Sequence, residues 1–179
     1  GVSAFSIILY IASLVIAIFS GICNGISPII SFNYGANNKD RINKILKIAI
    51  STIIIIGISS TILMIFGGET LIKMFSKGDA ELIRITAEAT KLYSVAFVFN
   101  GLNILTSAYF TALEDAKTSA IISVLRGVIL ILIFIIILPI ILGDIGIWLT
   151  VPASELVTVF IAVNYMKKAD LKIQKMKIA

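Results

Sequence analysis

Gly21-Ile-Cys-Asn-Gly-Ile-Ser-Pro-Ile-Ile-Ser-Phe-Asn-Tyr-Gly-Ala-Asn-Asn-Lys-Asp-Arg41 carries an apolar helix through a proline, out into Asn, Gly and charge, and stops it there. Upstream, Ser3, Ser6, Tyr10, Ser13, Ala17, Ser20, Asn24, Ser27 and Ser31 recur at steps of three or four, which keeps them on one helical face. Ile, Leu, Val and Phe fill the other sides. Such a helix suits lipid on its back and either a neighbouring helix or a wet cavity on its front. Gly21 and Gly25 fall in the same stretch as a small-residue pair for close packing, and Gly35 suits a helix C-cap.

Composition agrees with this reading. Hydrophobic residues make up 59% of the 179 residues and charged ones 14%, with mean hydropathy +1.07. A soluble domain averages about 45–50% apolar and about 25% charged, so the chain is of the membrane class. The opening Gly-Val-Ser-Ala-Phe has no Met and no basic leader, which reads as entry into a longer polypeptide at a helix. With one cysteine, Cys23, and no histidine, a disulfide framework, a cysteine metal cluster and histidine catalysis are excluded within these residues. The net charge of +5 gathers at helix ends, where membrane topology explains it better than nucleic acid does.

The expected fold is an all-α membrane protein, a polytopic bundle of about five transmembrane helices near 3–33, 45–66, 90–112, 118–140 and 145–166. The first exceeds what a bilayer requires and is expected to tilt, protrude or kink at Pro28. Residues 69–89 read as an interfacial amphipathic segment, with Asp79 capping the run that begins at Ala80. Glu114-Asp-Ala-Lys117 is a tight turn, Gly143-Asp-Ile-Gly146 another, and 167–179 a basic tail. Ten Lys/Arg fall on one side: four in the 34–47 linker, Lys117, and five in the tail. The opposite side has Lys73, Lys77, Arg84 and Lys91, countered by four acids. This excess marks the tail side as cytoplasmic.

Two formal charges lie deep in apolar runs, Arg126 and Glu155. Arg126 is nine residues past Lys117 and Glu155 ten past Ile145, depths of about 14 and about 15 Å from opposite faces. In a core about 30 Å thick both come near the midplane, side by side on an antiparallel hairpin. A charge there costs about 2.5–3.5 kcal/mol, so a partner is expected. The pair is either a fixed salt bridge or a site where Glu155 exchanges a proton or cation. Pro152, three residues before Glu155, loosens the local ladder. In the third span Asn100 and Asn103 share a face with Tyr93 and Ser107. They either tie helices together or line a polar cavity with Asn24 and Ser27. The candidate substrate- or ion-binding residues are thus Asn24, Ser27, Asn100, Asn103, Arg126 and Glu155, with Pro28 and Pro152 as candidate kinks.

Taken in order, Gly25 to Arg41, Leu71-Ile-Lys-Met-Phe75, Ala80-Glu-Leu-Ile83, Tyr109-Phe-Thr-Ala-Leu113, Leu125-Arg126, Gly143-Asp-Ile-Gly-Ile-Trp148 and Pro152-Ala-Ser-Glu155 resemble the C-terminal lobe of the multidrug and toxic compound extrusion (MATE) transporters. The resemblance implies helices eight to twelve of a twelve-helix, two-lobed protein, with an N-terminal lobe and seventh helix beyond this sequence. It implies export of cationic and amphipathic drugs in exchange for Na+ or H+ by rocking of the lobes, with no other cofactor. One departure stands out: the helix with Asn100 and Asn103 has no acid at membrane depth, where some branches place a cation-coupling aspartate. The alternatives are a flippase for a lipid-linked precursor and a non-transporting structural membrane module; an enzyme is not expected. The expected setting is the plasma membrane, multi-pass, with a cytoplasmic C-terminus.

Overall fold

A computed structural model describes residues 2–75 and 80–175. They form α1 (Val2–Gly35), α2 (Lys39–Phe75), α3 (Ala80–Ser94), α4 (Ala96–Ala112), α5 (Ala116–Val124), a π-helical turn (Leu125–Ile129), α6 (Leu130–Leu142) and α7 (Asp144–Lys175). Four stretches are long and apolar enough to cross a bilayer: 6–35, 39–70, 116–142 and 144–169. A fifth is the pair α3 and α4, bent by 44° at the break between them. The chain is a multi-pass helical membrane bundle.

The turns follow from local chemistry. After α1 the left-handed position is taken by Asn37 (φ 55°) and not by Gly35, which stays helical. Asn tolerates that conformation because its short side chain bonds locally. Asn38 N–H donates to Asn33 O, and Asn38 Oδ1 accepts from Arg41 N–H as the cap of α2. Asp115 caps α5 in the same way, accepting from the Thr118 N–H at 3.1 Å and the Thr118 hydroxyl at 2.7 Å. Between α6 and α7 the turn passes through Gly143 at φ 63°, a region nearly closed to other residues.

Several boundaries differ from those expected. α2 runs on through Gly67 and Gly68 to Phe75, so Glu69–Phe75 belongs to that helix and not to a separate amphipathic segment. α3 begins at Ala80 and reaches Ser94, and its proposed cap Asp79 lies outside the described residues. α7 continues into the basic tail as far as Lys175. Pro28 and Pro152 both lie inside helices that continue past them. The π-turn around Arg126, which interrupts the α-helical geometry between α5 and α6, carries no proline at all.

The core sits where α1, α2 and α4 cross. Phe19, Ile53 and Leu105 are buried there, and a second cluster joins Ile30, Tyr109, Phe110 and Ile122 to Ala162 of α7. α6, by contrast, buries no residue. It docks chiefly on α7 and turns Leu132, Ile136 and Ile140 outward, a surface suited to acyl chains. Gly101 permits the main crossing: a Cβ there would lie 2.6 Å from Ile53 Cγ2 and 3.0 Å from Phe19 Cζ. Gly101→Val should therefore destabilise by about 1–3 kcal/mol through overpacking. Thermal unfolding in detergent reads this out, and an unchanged Tm would refute the crossing.

Candidate functional site

The site begins with two asparagines three residues apart on α4, a spacing that puts both amides on the face turned to α7. Glu155 of α7 projects between them. Asn100 Nδ2 donates to Glu155 Oε1 at 2.9 Å, and Asn103 Nδ2 donates to Oε2 at 2.6 Å. Asn103 Nδ2 also reaches the Glu155 main-chain carbonyl at 2.9 Å. Arg126, from the π-turn, brings its Nε to 3.5 Å from Oε1. A carboxylate that is only 4% exposed is thus held by two amide donors and one guanidinium. Such charge-assisted bonds offset part of its desolvation. The amide oxygens of Asn100 and Asn103 are buried and without a partner among the described residues.

The π-turn explains how Arg126 gets there. Inserting an extra residue into one helical turn rotates the side chains that follow relative to a regular α-helix. The Arg126 carbonyl accepts from Ser154 Oγ of α7 at 3.4 Å. α7 therefore contacts the π-turn twice, once through Ser154 and once through Glu155.

In front of Arg126 opens a cavity of about 480 Å³ between α1, α4 and α5, whose polar lining is Ser20, Asn24, Ser107, Thr111, Ser123 and Arg126. Ser107 is hydrogen-bonded to Ser119 and Ser123 at 2.9 Å each, and Thr111 to Ser119 at 2.8 Å. This hydroxyl chain was not singled out from the sequence, although the steps of four in Ser107/Thr111 and Ser119/Ser123 were there to read.

The expected shared cavity is therefore divided. Asn24 faces the open space, whereas Asn100 and Asn103 are buried against Glu155. Ser27 is half-buried on α1, one turn from Asn24, outside the lining of that cavity. Arg126 joins the two halves, touching Glu155 on one side and the cavity on the other. The small-residue seam of α1 is not used for packing here: Tyr10, Ser13, Ala17, Asn24 and Ser31 are exposed. A Cβ at Gly21 or Gly25 would meet nothing within 4 Å, so that pair is not a contact between helices of this chain.

The MatE family model matches residues 1–143. The chain belongs to the MatE family. Among MatE relatives, the multidrug export protein MepA of Staphylococcus saprophyticus is 28% identical over 114 residues, which is 64% of this chain and 25% of that protein. MepA of Staphylococcus aureus is 25% identical over the same length. This chain thus matches about a quarter of the length of these curated relatives. Two solved structures share its fold. One is an outward-facing multidrug resistance MATE transporter of the MOP superfamily (TM-score 0.90, 18% identity, 98% of this chain and 40% of that one). The other is a MATE protein in complex with MaL6 (TM-score 0.91, 17% identity, 98% and 40%).

Proposed function

We propose that this chain is part of the C-terminal lobe of a cation-coupled secondary active antiporter that exports drugs or other organic compounds by alternating access. MatE membership and the export activity named for the staphylococcal relatives support the transport part of the reading. The coupling part rests on one observation, the enclosure of Glu155 by Asn100, Asn103 and Arg126. A proton or Na+ arriving at that carboxylate competes with Arg126 for the same oxygens. The two unpartnered amide oxygens beside it are hard donors of the type that bare cations prefer. Neutralising Glu155 would release the guanidinium and leave the Ser154 hydroxyl as the remaining bond from α7 to the π-turn.

A second lobe and the helix before α1 would cover the exposed polar seam of α1, and lipid would surround α6. The distribution of lysines supports a cytoplasmic C-terminus in the plasma membrane. Ethidium efflux from proteoliposomes holding the complete polypeptide tests the reading. Efflux should follow an imposed Na+ or H+ gradient, and Asn100→Ala should lower it on the order of tenfold at unchanged protein abundance. Gradient-independent efflux would overturn the coupling. Absence of any flux would leave a structural membrane module.

A further inference from the structure

We propose that the cavity between α1, α4 and α5 binds the carboxylate of an amphiphilic substrate, and that Arg126 is the residue that selects it. The assignment rests on the transport reading above and names the ligand class for the same lobe. At about 480 Å³ the cavity falls within the range of about 300–1,000 Å³ usual for drug-sized ligands. Ile16, Ile104 and Ala108 give it an apolar wall, against which a ring or alkyl body can be buried. Its polar groups are hydroxyls, the Cys23 thiol, the Asn24 amide and the Arg126 guanidinium, with no Asp or Glu among its lining residues.

Charge decides what this lining prefers. Glu155, the acid paired with Arg126, is 4% exposed and already holds three donors. It does not line the cavity. A cationic headgroup entering here meets the Arg126 guanidinium, whose counter-charge Glu155 does not line the cavity. A carboxylate meets an opposite charge. The Arg126 side chain is 19% exposed, and its Nε is the group turned to Glu155. A guanidinium held through its Nε still ends in two amino groups, which together form the planar fork that takes a carboxylate bidentately. Ser107 and Ser123, joined at 2.9 Å beside it, can each donate to an anion because a hydroxyl rotates to suit. One guanidinium matches one carboxylate and not a polyphosphate, so a lipid-linked pyrophosphate fits poorly. The expectation of cationic and amphipathic drugs is thereby narrowed: on this side of the pathway the substrate presents an acid, and any positive charge it carries is held elsewhere.

Fluorescence titration of the purified complete polypeptide with dansylglycine and with its methyl ester tests the assignment. The acid should bind at least about tenfold more tightly than the ester, the value of one charge-assisted fork over a neutral carbonyl. In the double variant R126Q/E155Q, which removes the guanidinium without orphaning Glu155, that preference should disappear. Arg126→Lys keeps the charge and loses the fork, so its preference should fall between the two. Equal affinities in the native protein, no binding of either probe, or a preference that survives in R126Q/E155Q would overturn the proposal. If the double variant does not fold, an undiminished preference in Arg126→Lys overturns it instead. Ethidium efflux from the same preparation separates the two readings. Coupled efflux without acid preference removes only the ligand assignment, and acid preference without efflux removes only the transport reading.

Discussion

Glu155→Ala should be the most damaging single substitution in the bundle, lowering stability by about 3–5 kcal/mol, the range for breaking a buried ion pair by removing one partner. Three losses coincide. Arg126, mostly buried, is left with no counter-charge. The Asn100 amide loses its acceptor and Asn103 keeps only the main-chain carbonyl of residue 155, while the oxygens of both amides already lack partners. A small space also opens between α4 and α7. Glu155→Gln should fall between the native protein and Glu155→Ala, since the amide fills the space and still accepts one bond. Removing both charges with E155A/R126L should recover part of the loss, because the orphaned guanidinium is then gone. Thermal unfolding in detergent measures all four proteins. If Glu155→Ala unfolds at the native temperature, or the double variant is no better than the single one, the cluster is not the buried network described.

The meeting of Arg126 and Glu155 was legible because helical rise converts residue counts into depth, and both counts began at clear ends, Lys117 and Ile145. The asparagines were legible as a face but not as partners of Glu155. Their helix has no such end to count from: α3 runs into α4 through Tyr93-Ser-Val-Ala96 with neither Pro nor Gly to mark the 44° bend. The π-turn was hidden for the same reason. Arg126-Gly127 inside an apolar run looks like any helical interior, and the extra residue is specified by what α7 offers across the interface, Ser154 and Glu155. Gly67 and Gly68 misled in the other direction. The expected span stops at residue 66, just before them, yet α2 continues through both, and a Cβ at Gly68 would make only ordinary contact with Thr90 Cγ2 of α3 at 3.8 Å. At the π-turn local propensity was overruled by a neighbouring helix that the sequence does not place.

Gly146→Val is expected to open the α6–α7 hairpin, with a loss of about 3 kcal/mol, the upper end for overpacking. Gly146 is buried in the first turn of α7, and a Cβ there would run into the Leu138 carbonyl and the Pro139 nitrogen. Those are backbone atoms, so no rotamer change relieves the clash and α6 itself must move away. α6 has little to resist with, since it buries no residue and docks chiefly on α7. Gly67→Ala is the control: a Cβ at Gly67 meets nothing within 4 Å, so the change should be neutral or stabilise by up to about 1 kcal/mol through helix propensity. Equal unfolding temperatures for the two variants would show that the hairpin is not closed by backbone contact at Gly146. The effect should also reach the buried cluster. α6 continues directly from the π-turn that carries Arg126, so moving α6 off α7 draws the guanidinium away from Glu155. Gly146→Val should therefore lower the preference for dansylglycine over its ester together with stability, whereas Gly67→Ala should leave both in place.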